Sequence, residues 1–338
     1  MIDSLLAKGI VPDFLVRLGI RNLLKQRISE ITFKNQNDKK KYLEEFISVM
    51  KSSPIAEKAD KANEQHYEVP SDFYQYVLGE KLKYSCCYYE VEETLNEAEG
   101  KMLEITTQRA NLQDGQKILE LGCGWGSLTL FMAEKFPHSS IVGISNSKEQ
   151  KKFIDAKASS MNLLNVKVIT QDMNDFQPFD RFDRIVSVEM FEHIRNYKEL
   201  LSRLKNSLFD NGRIFIHIFV HKETPYFFEP KDTSDWMSKY FFSGGMMPSN
   251  KLLYHFDDVF QVEDHWEVNG IHYSKTAEDW LKNMDSHKGK IMKLFKRHYG
   301  NEAQKWFHYW RVFFMACSEL WKYKGGKEWF VSHYLLKK

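Results

Sequence analysis

At 338 residues, 43% of them hydrophobic, the chain suits one large α/β domain with additions or two small domains, and it can bury a substantial core. Its 48 lysines and arginines nearly balance 46 aspartates and glutamates, so net charge gives no reason to expect nucleic acid, and no apolar run is long enough for stable membrane insertion. The four cysteines, Cys86, Cys87, Cys123 and Cys317, lack metal-binding spacing; with no signal-peptide pattern, free thiols in a cytoplasmic protein without a metal are expected.

Residues 1–60 read as a helical cap. Phe14, Leu15, Leu18, Leu24, Ile28 and Ile31 roughly follow one face, with Arg17, Arg21, Lys25 and Arg27 supplying charge. Asn35 to Asp38 break the pattern before a second helix over 39–50, and Ser52-Ser53-Pro54 marks a linker. The apolar face packs on the core, or it meets lipid or a second copy in a homodimer. Residues 63–89 are rich in tyrosine and poor in periodicity, and a helix over 97–111 leads into the first strand.

That strand, 117–121, runs into Gly122-Cys123-Gly124-Trp125-Gly126 and then a helix over 127–136. Strand, glycine turn and helix make a βα corner whose backbone N–H groups can face a polar ligand. Further strands follow over 140–145, 166–170, 182–188 and 212–220, giving a Rossmann-like core over about 112–220. Ser147 is a natural N-cap for a helix over 147–161, with Gln150 at the third position of a capping box. Polar residues gather at the strand ends: Asn146 and Ser147, Gln171 and Asp172, then Glu189, Glu192 and His193. The second strand carries no acid at its tip for ribose hydroxyls, so a nicotinamide cofactor is disfavoured and another adenosine cofactor is expected.

Beyond the fifth strand an aromatic insertion over about 221–255, holding His221, Tyr226, Trp236, Tyr240, Phe241 and Phe242, has the composition of a substrate lid. A strand over 258–267, helices over 276–299 and 302–322, and a last strand over 328–336 complete the chain.

Glu120-Leu-Gly-Cys-Gly-Trp-Gly126, Gly143-Ile144-Ser145-Asn146-Ser147-x-x-Gln150 and Phe191-Glu192-His193 resemble the S-adenosylmethionine methyltransferases of the cyclopropane-fatty-acid-synthase superfamily. Glu64-Gln65-His66-Tyr67-Glu68-Val69-Pro70, Lys83-Tyr84-Ser85-Cys86-Cys87-Tyr88, Glu189 to Tyr197 and Tyr240-Phe241-Phe242-Ser243-Gly244-Gly245 are similar to the coclaurine N-methyltransferase-like branch. The resemblance implies a class I S-adenosylmethionine-dependent methyltransferase sheet over 61–338 with the helical cap and lid as additions. It implies that Tyr67, Tyr84, Ser85, Glu120, Gly122, Gly124, Ser145, Asn146, Gln150, Asp172, Met173 and Val188 hold the cofactor, with Asp172 on the adenine amino group. His217, His221, Tyr226 and Phe241 would line the substrate pocket. A departure is Val220, where plant relatives commonly carry cysteine, and the N-terminal region matches poorly.

An alkylamine must lose a proton before methylation, so a base and a cation-holding carboxylate are required. Glu189 and His193, four apart, would share a face if helical, with Glu189 raising the histidine into its working range and Glu192 beside them. A small cyclic amine, best a tetrahydroisoquinoline, is the expected substrate. The alternative is modification of unsaturated acyl chains, for which Cys123, Glu192 and His217 match the residues cyclopropane synthases place around a bicarbonate. Those enzymes usually carry glycine where this chain has Glu189, and a carboxylate against an acyl chain is costly.

Overall fold

The computed structural model describes residues 2–57, 69–91, 93–229, 236–241 and 244–338. Tyr67, Phe242 and Ser243 therefore lie outside the described residues. Seven strands form one sheet in the order β3-β2-β1-β4-β5-β9-β8. β1 (Lys117–Leu121), β2 (Ser140–Ser145), β3 (Val166–Thr170), β4 (Phe182–Val188) and β5 (Leu208–His221) run parallel. β9 (Trp329–Lys337) is antiparallel to β5, and β8 (Gln261–Val268) is antiparallel to β9. A short pair, β6 (Tyr226–Phe227) and β7 (Met246–Met247), lies within the insertion. β1 is buried at every position after Lys117, which is why it reads as a continuous apolar run rather than an alternating one. The chain leaves β1 first towards β2 and later towards β4, so a switch point opens at the carboxyl ends of β1 and β4, where open α/β sheets bind ligands.

The helices are α1 (Ile2–Lys8), α2 (Asp13–Ile31), α3 (Gln36–Ser52), α4 (Ser71–Val77), α5 (Leu95–Arg109), α6 (Ser127–Lys135), α7 (Lys148–Ser160), α8 (Tyr197–Asn206), α9 (Trp236–Tyr240), α10 (Gly270–Ser286), α11 (Lys288–Tyr299) and α12 (Ala303–Trp321). Among the described residues no helix is long and apolar enough to cross a membrane.

Several boundaries differ from expectation for local polar reasons. The break at 35–38 is a helix start, because the Asn35 side chain accepts from the Asp38 N–H at 2.9 Å. The expected helix over 276–299 is two: Asn269 caps it early, accepting from Ile271 N at 2.8 Å, and it breaks at His287. There the Asn283 carbonyl takes both the His287 amide and its ring nitrogen at 3.0 Å, and Ser286 Oγ donates to the same oxygen.

The cap is docked in two places. α2 packs with α12 into the helical cluster, while α3 contributes Phe46 and Met50 to the cluster against the sheet. The expected apolar face of α2 divides. Leu24, Ile28 and Ile31 pack inward, but Phe14, Leu15 and Leu18 are exposed. The arginines turn inward instead: Arg17 meets Glu278 at 2.5 Å and Glu319 at 3.2 Å, and Arg21 meets Glu319 at 2.6 Å.

Candidate active site

The glycine turn after β1 works because three of its residues adopt left-handed backbone: Gly122 at φ +76°, Gly124 at +51° and Gly126 at +82°. A Cβ on Gly122 would lie 2.8 Å from Met190 Cγ, so glycine also allows the turn after β4 to approach. Gly122 and Gly124 line a cavity of about 90 Å³, and Ser145, Asn146, Gln150, Asp172, Met173, Glu189 and His193 line the same one. The sequence-predicted residues at four strand ends thus meet in one place.

One wall of this cavity is built from short polar links. Ser147 Oγ accepts from Gln150 N at 3.3 Å, one half of the expected capping box. The other half is absent because Gln150 Oε1 accepts from Ser145 Oγ at 2.6 Å, while Ser145 Oγ accepts from Ser147 N at 3.0 Å. Gln150 Nε2 is left buried with no partner among the described residues. A glycine cradle, an unsatisfied amide donor and the Asp172 carboxylate suit the polar groups of S-adenosylmethionine. Asp172 also caps a 3₁₀ turn, accepting from Asn174 N at 2.7 Å. Asn174 in turn exchanges two hydrogen bonds with Ala56, at 3.0 and 3.1 Å, and Ala56 and Glu57 line the cavity. The residues just beyond the expected linker at Ser52 to Pro54 are therefore strapped across the site.

Glu120 and Val188 stand back from this wall. Glu120 is buried beneath the turn, accepts from Thr129 Oγ1 at 2.5 Å and ties β1 to α6; burial pushes its carboxyl up to about 7. Val188 packs into the apolar cluster behind the sheet. Tyr84 stands between Tyr74 and Trp280 at ring distances of 5.1 and 5.4 Å, and buried Ser85 accepts from the Lys83 ammonium.

Glu189 is the most heavily held side chain of the site. It follows β4 in left-handed backbone at φ +47°. Its Oε1 accepts from Cys86 N at 2.9 Å and lies 3.2 Å from His217 Nε2; its Oε2 accepts from Tyr273 O–H at 2.5 Å. Burial raises its pKa, opposed by the charge of buried Lys83, those hydrogen bonds and His193. The expected helical face joining Glu189 to His193 does not form: residues 191–193 are a 3₁₀ turn, and both side chains reach the cavity from that irregular backbone. Nor is the histidine raised. Burial lowers His193 to about 4 and outweighs the Glu189 charge, which pulls the other way. Glu192 is buried behind them, accepting from Phe219 N at 2.7 Å; burial, then the Glu189 charge, push its pKa well up.

The four expected substrate residues do not gather at this cavity. His217 sits behind Glu189. His221 lies 3.3 Å from Glu328, and its ring accepts from Thr224 N. Tyr226 O–H accepts from Trp329 Nε1 at 3.1 Å, and Phe241 stacks on Phe313 at 4.4 Å in the helical core. Cys123 is likewise not grouped with Glu192 and His217; its thiol packs with Ile154 and Val168, and the cysteine facing Glu189 is Cys86, through its backbone. Spacing along the sequence missed Tyr273, Lys83, Ala56 and Glu57, whose elements are far from the glycine turn in the chain.

Residues 55–325 match the family described as mycolic acid cyclopropane synthetase. The (S)-coclaurine N-methyltransferase of Thalictrum flavum subsp. glaucum is 37% identical over 98% of this chain and 93% of its own. A crystal structure of coclaurine N-methyltransferase bound to N-methylheliamine and S-adenosylhomocysteine superposes with a TM-score of 0.97 at 35% identity, covering 100% of this chain and 99% of that one. The cyclopropane-fatty-acyl-phospholipid synthase of Escherichia coli is 30% identical over 64% of this chain and 55% of its own.

Proposed function

Because the chain belongs to the coclaurine N-methyltransferase branch of the mycolic acid cyclopropane synthetase family, and is an S-adenosylmethionine-dependent N-methyltransferase, we propose that its substrate is a small cyclic amine of the tetrahydroisoquinoline type. S-adenosylmethionine supplies an electrophilic methyl when bound. Gly122, Gly124, Ser145, Asn146, Gln150, Asp172 and Met173 would hold it along one wall, and the family resemblance adds Tyr67, Tyr84 and Ser85 to them.

The observation that carries this reading is a carboxylate, Glu189, and an imidazole, His193, on the wall of the same cavity. Glu189 holds the ammonium form of the substrate by charge, and hydrogen bonds from Cys86 and Tyr273 fix where that charge sits. His193, lowered to about 4, is neutral at physiological pH and takes the proton from the ammonium before the nitrogen attacks the methyl. Glu189 pairs with the imidazolium once the proton has moved, although burial outweighs that charge in setting the histidine's basicity. Glu192 fixes the turn that carries His193 through its bond to Phe219 N, and so acts as a positioning residue.

The test is a transfer assay with methyl-labelled S-adenosylmethionine, offering cyclic amines beside vesicles of unsaturated phospholipid. One methyl mass gained on an amine is expected. A methylene gained on the lipid, with the amines untouched, would overturn the proposal.

A further inference from the structure

Behind Glu189 a column of polar side chains crosses the sheet, and the methyl-transfer reading leaves it unused. His217 on β5 and His333 on β9 face each other in the antiparallel register, both fully buried, with rings 4.5 Å apart and tilted by 32°. One end of the column is the 3.2 Å contact of His217 Nε2 with Glu189 Oε1. At the other end, Arg109 Nη1 lies 2.8 Å from His333 Nδ1, with the guanidinium 5.1 Å over the Trp266 ring.

The protons in this column follow from valence. A guanidinium only donates, so His333 Nδ1 must accept, and in the neutral ring its proton sits on Nε2. Glu189 Oε1 already accepts from the Cys86 amide and is an acceptor towards His217 too, so His217 Nε2 carries the proton and Nδ1 is bare. The nitrogens left over are a donor, His333 Nε2, and an acceptor, His217 Nδ1. These two atoms are the ones that the column leaves buried without a partner, on rings that touch. Both histidines are neutral: burial first, then the charges of Lys83 and Arg109, hold them well below the usual range.

We propose that Arg109, His333 and His217 form a one-way donor chain, closed between the rings through one buried water, that holds Glu189 as the carboxylate an ammonium substrate requires. Every bond points from the cation to the carboxylate, and bonds in such a series polarise one another. The proposal rests on the reading of Glu189 as the charge partner of the amine. Arg109 and His333 are positioning residues, since neither reaches the cavity. Other groups also act on Glu189: Lys83 and His193 favour its charged form, as do the bonds from Cys86 and Tyr273, while burial opposes it. Glu192 and the thiols of Cys86 and Cys317 feel its charge. His333 also feels His265.

Two measurements test the chain, the first needing no substrate. Nitrogen chemical shifts of histidine-labelled protein should show His217 and His333 both protonated at Nε2 and bare at Nδ1. An Nδ1–H form of either ring, or a charged ring at neutral pH, would overturn the proposal. The second is the acid limb of kcat/KM. His333→Phe, which breaks the chain, should move that limb up by about one unit, a tenfold loss at pH values below it. His333→Gln, which can accept from Arg109 and donate onwards, should restore the wild-type limb. A folded Phe variant with an unmoved limb would refute the chain; should that variant not fold, Arg109→Met interrupts the column from its half-buried end with the same expectations. If no amine is methylated but the tautomers are as stated, the amine reading fails and the column stands.

Discussion

Glu189 holds an unfavourable backbone conformation at the centre of the site. Left-handed geometry costs a residue with a Cβ roughly 1–2 kcal/mol, and its carboxylate is largely withdrawn from solvent as well. Hydrogen bonds from Cys86 and Tyr273 and the nearby Lys83 keep it there. Glu189→Gly should relieve both strains: thermal unfolding is expected to show a melting temperature equal to or above wild type, while turnover falls by about 100-fold or more. A lower melting temperature would mean that the carboxylate stabilises the fold more than its burial costs. Glu120 makes a different statement. Its folded pKa of about 7 lies above the ordinary 4.5, so the folded state binds the proton more tightly. Stability from this group is therefore fully present at low pH and lost as pH rises from about 4.5 to about 7, by up to about 3 kcal/mol. Glu120→Gln should flatten that part of the stability–pH curve, measured by urea unfolding at pH 5 and pH 8; an unchanged slope would show that Glu120 is not its source. Residues such as Gly122, Gly124 and Asp172 were legible in the sequence because a turn or a strand end marks them locally. Tyr273, Lys83 and His333 were not, since each matters only through an element that arrives from far along the chain.

At the scale of elements, strands were the most legible because the inner parallel strands are short apolar runs with clear ends; β1, β2 and β4 lie where the sequence put them, as does the less buried edge strand β3. Helix boundaries were hidden in side-chain chemistry, as at Asn35, Asn269 and His287. The orientation of α2 was hidden for another reason: Arg17 and Arg21, which read as surface charge, in fact meet the partly exposed Glu278 on α10 and the buried Glu319 on α12. Burial pushes the Glu319 carboxyl up, but Arg21, Lys322 and Arg17 outweigh it and hold the group down to about 2, so it contributes stability above about pH 4.5 that is lost as pH falls towards 2. Glu319→Gln should lower stability by about 2–4 kcal/mol near neutral pH, read by urea unfolding, because Arg17 and Arg21 lose their carboxylate. A loss below 0.5 kcal/mol would show the network to be a surface feature. The strap at Ala56 offers a functional counterpart. Asn174→Ala releases both of its bonds to that segment, so S-adenosylhomocysteine affinity should fall by about tenfold in calorimetry, the equivalent of about 1.4 kcal/mol. Unchanged affinity would mean that the strap is held by other contacts, such as the 2.6 Å bond from Arg195 N to Ile55 O.

The whole molecule couples a cofactor wall built on the parallel half of the sheet to an acceptor wall assembled from distant pieces. Glu189 and His193 follow β4, Cys86 precedes α5, and Tyr273 belongs to α10, so the site is completed only when the helical cluster closes over the sheet. The cofactor class and the sheet could be inferred from the sequence, since a glycine turn and polar strand ends are local marks. The acceptor side could not, because sequence spacing suggested a helical Glu–His face and a raised histidine where the structure has a 3₁₀ turn and a lowered one. The most direct test of the account measures His193→Ala for turnover on a cyclic amine and for S-adenosylhomocysteine affinity in the same preparation. Turnover should fall by about 100-fold or more with affinity within about twofold of wild type, as expected for a group that takes a proton from the acceptor. Equal losses in both, or full turnover, would contradict the assignment and make His193 a structural residue of the pocket.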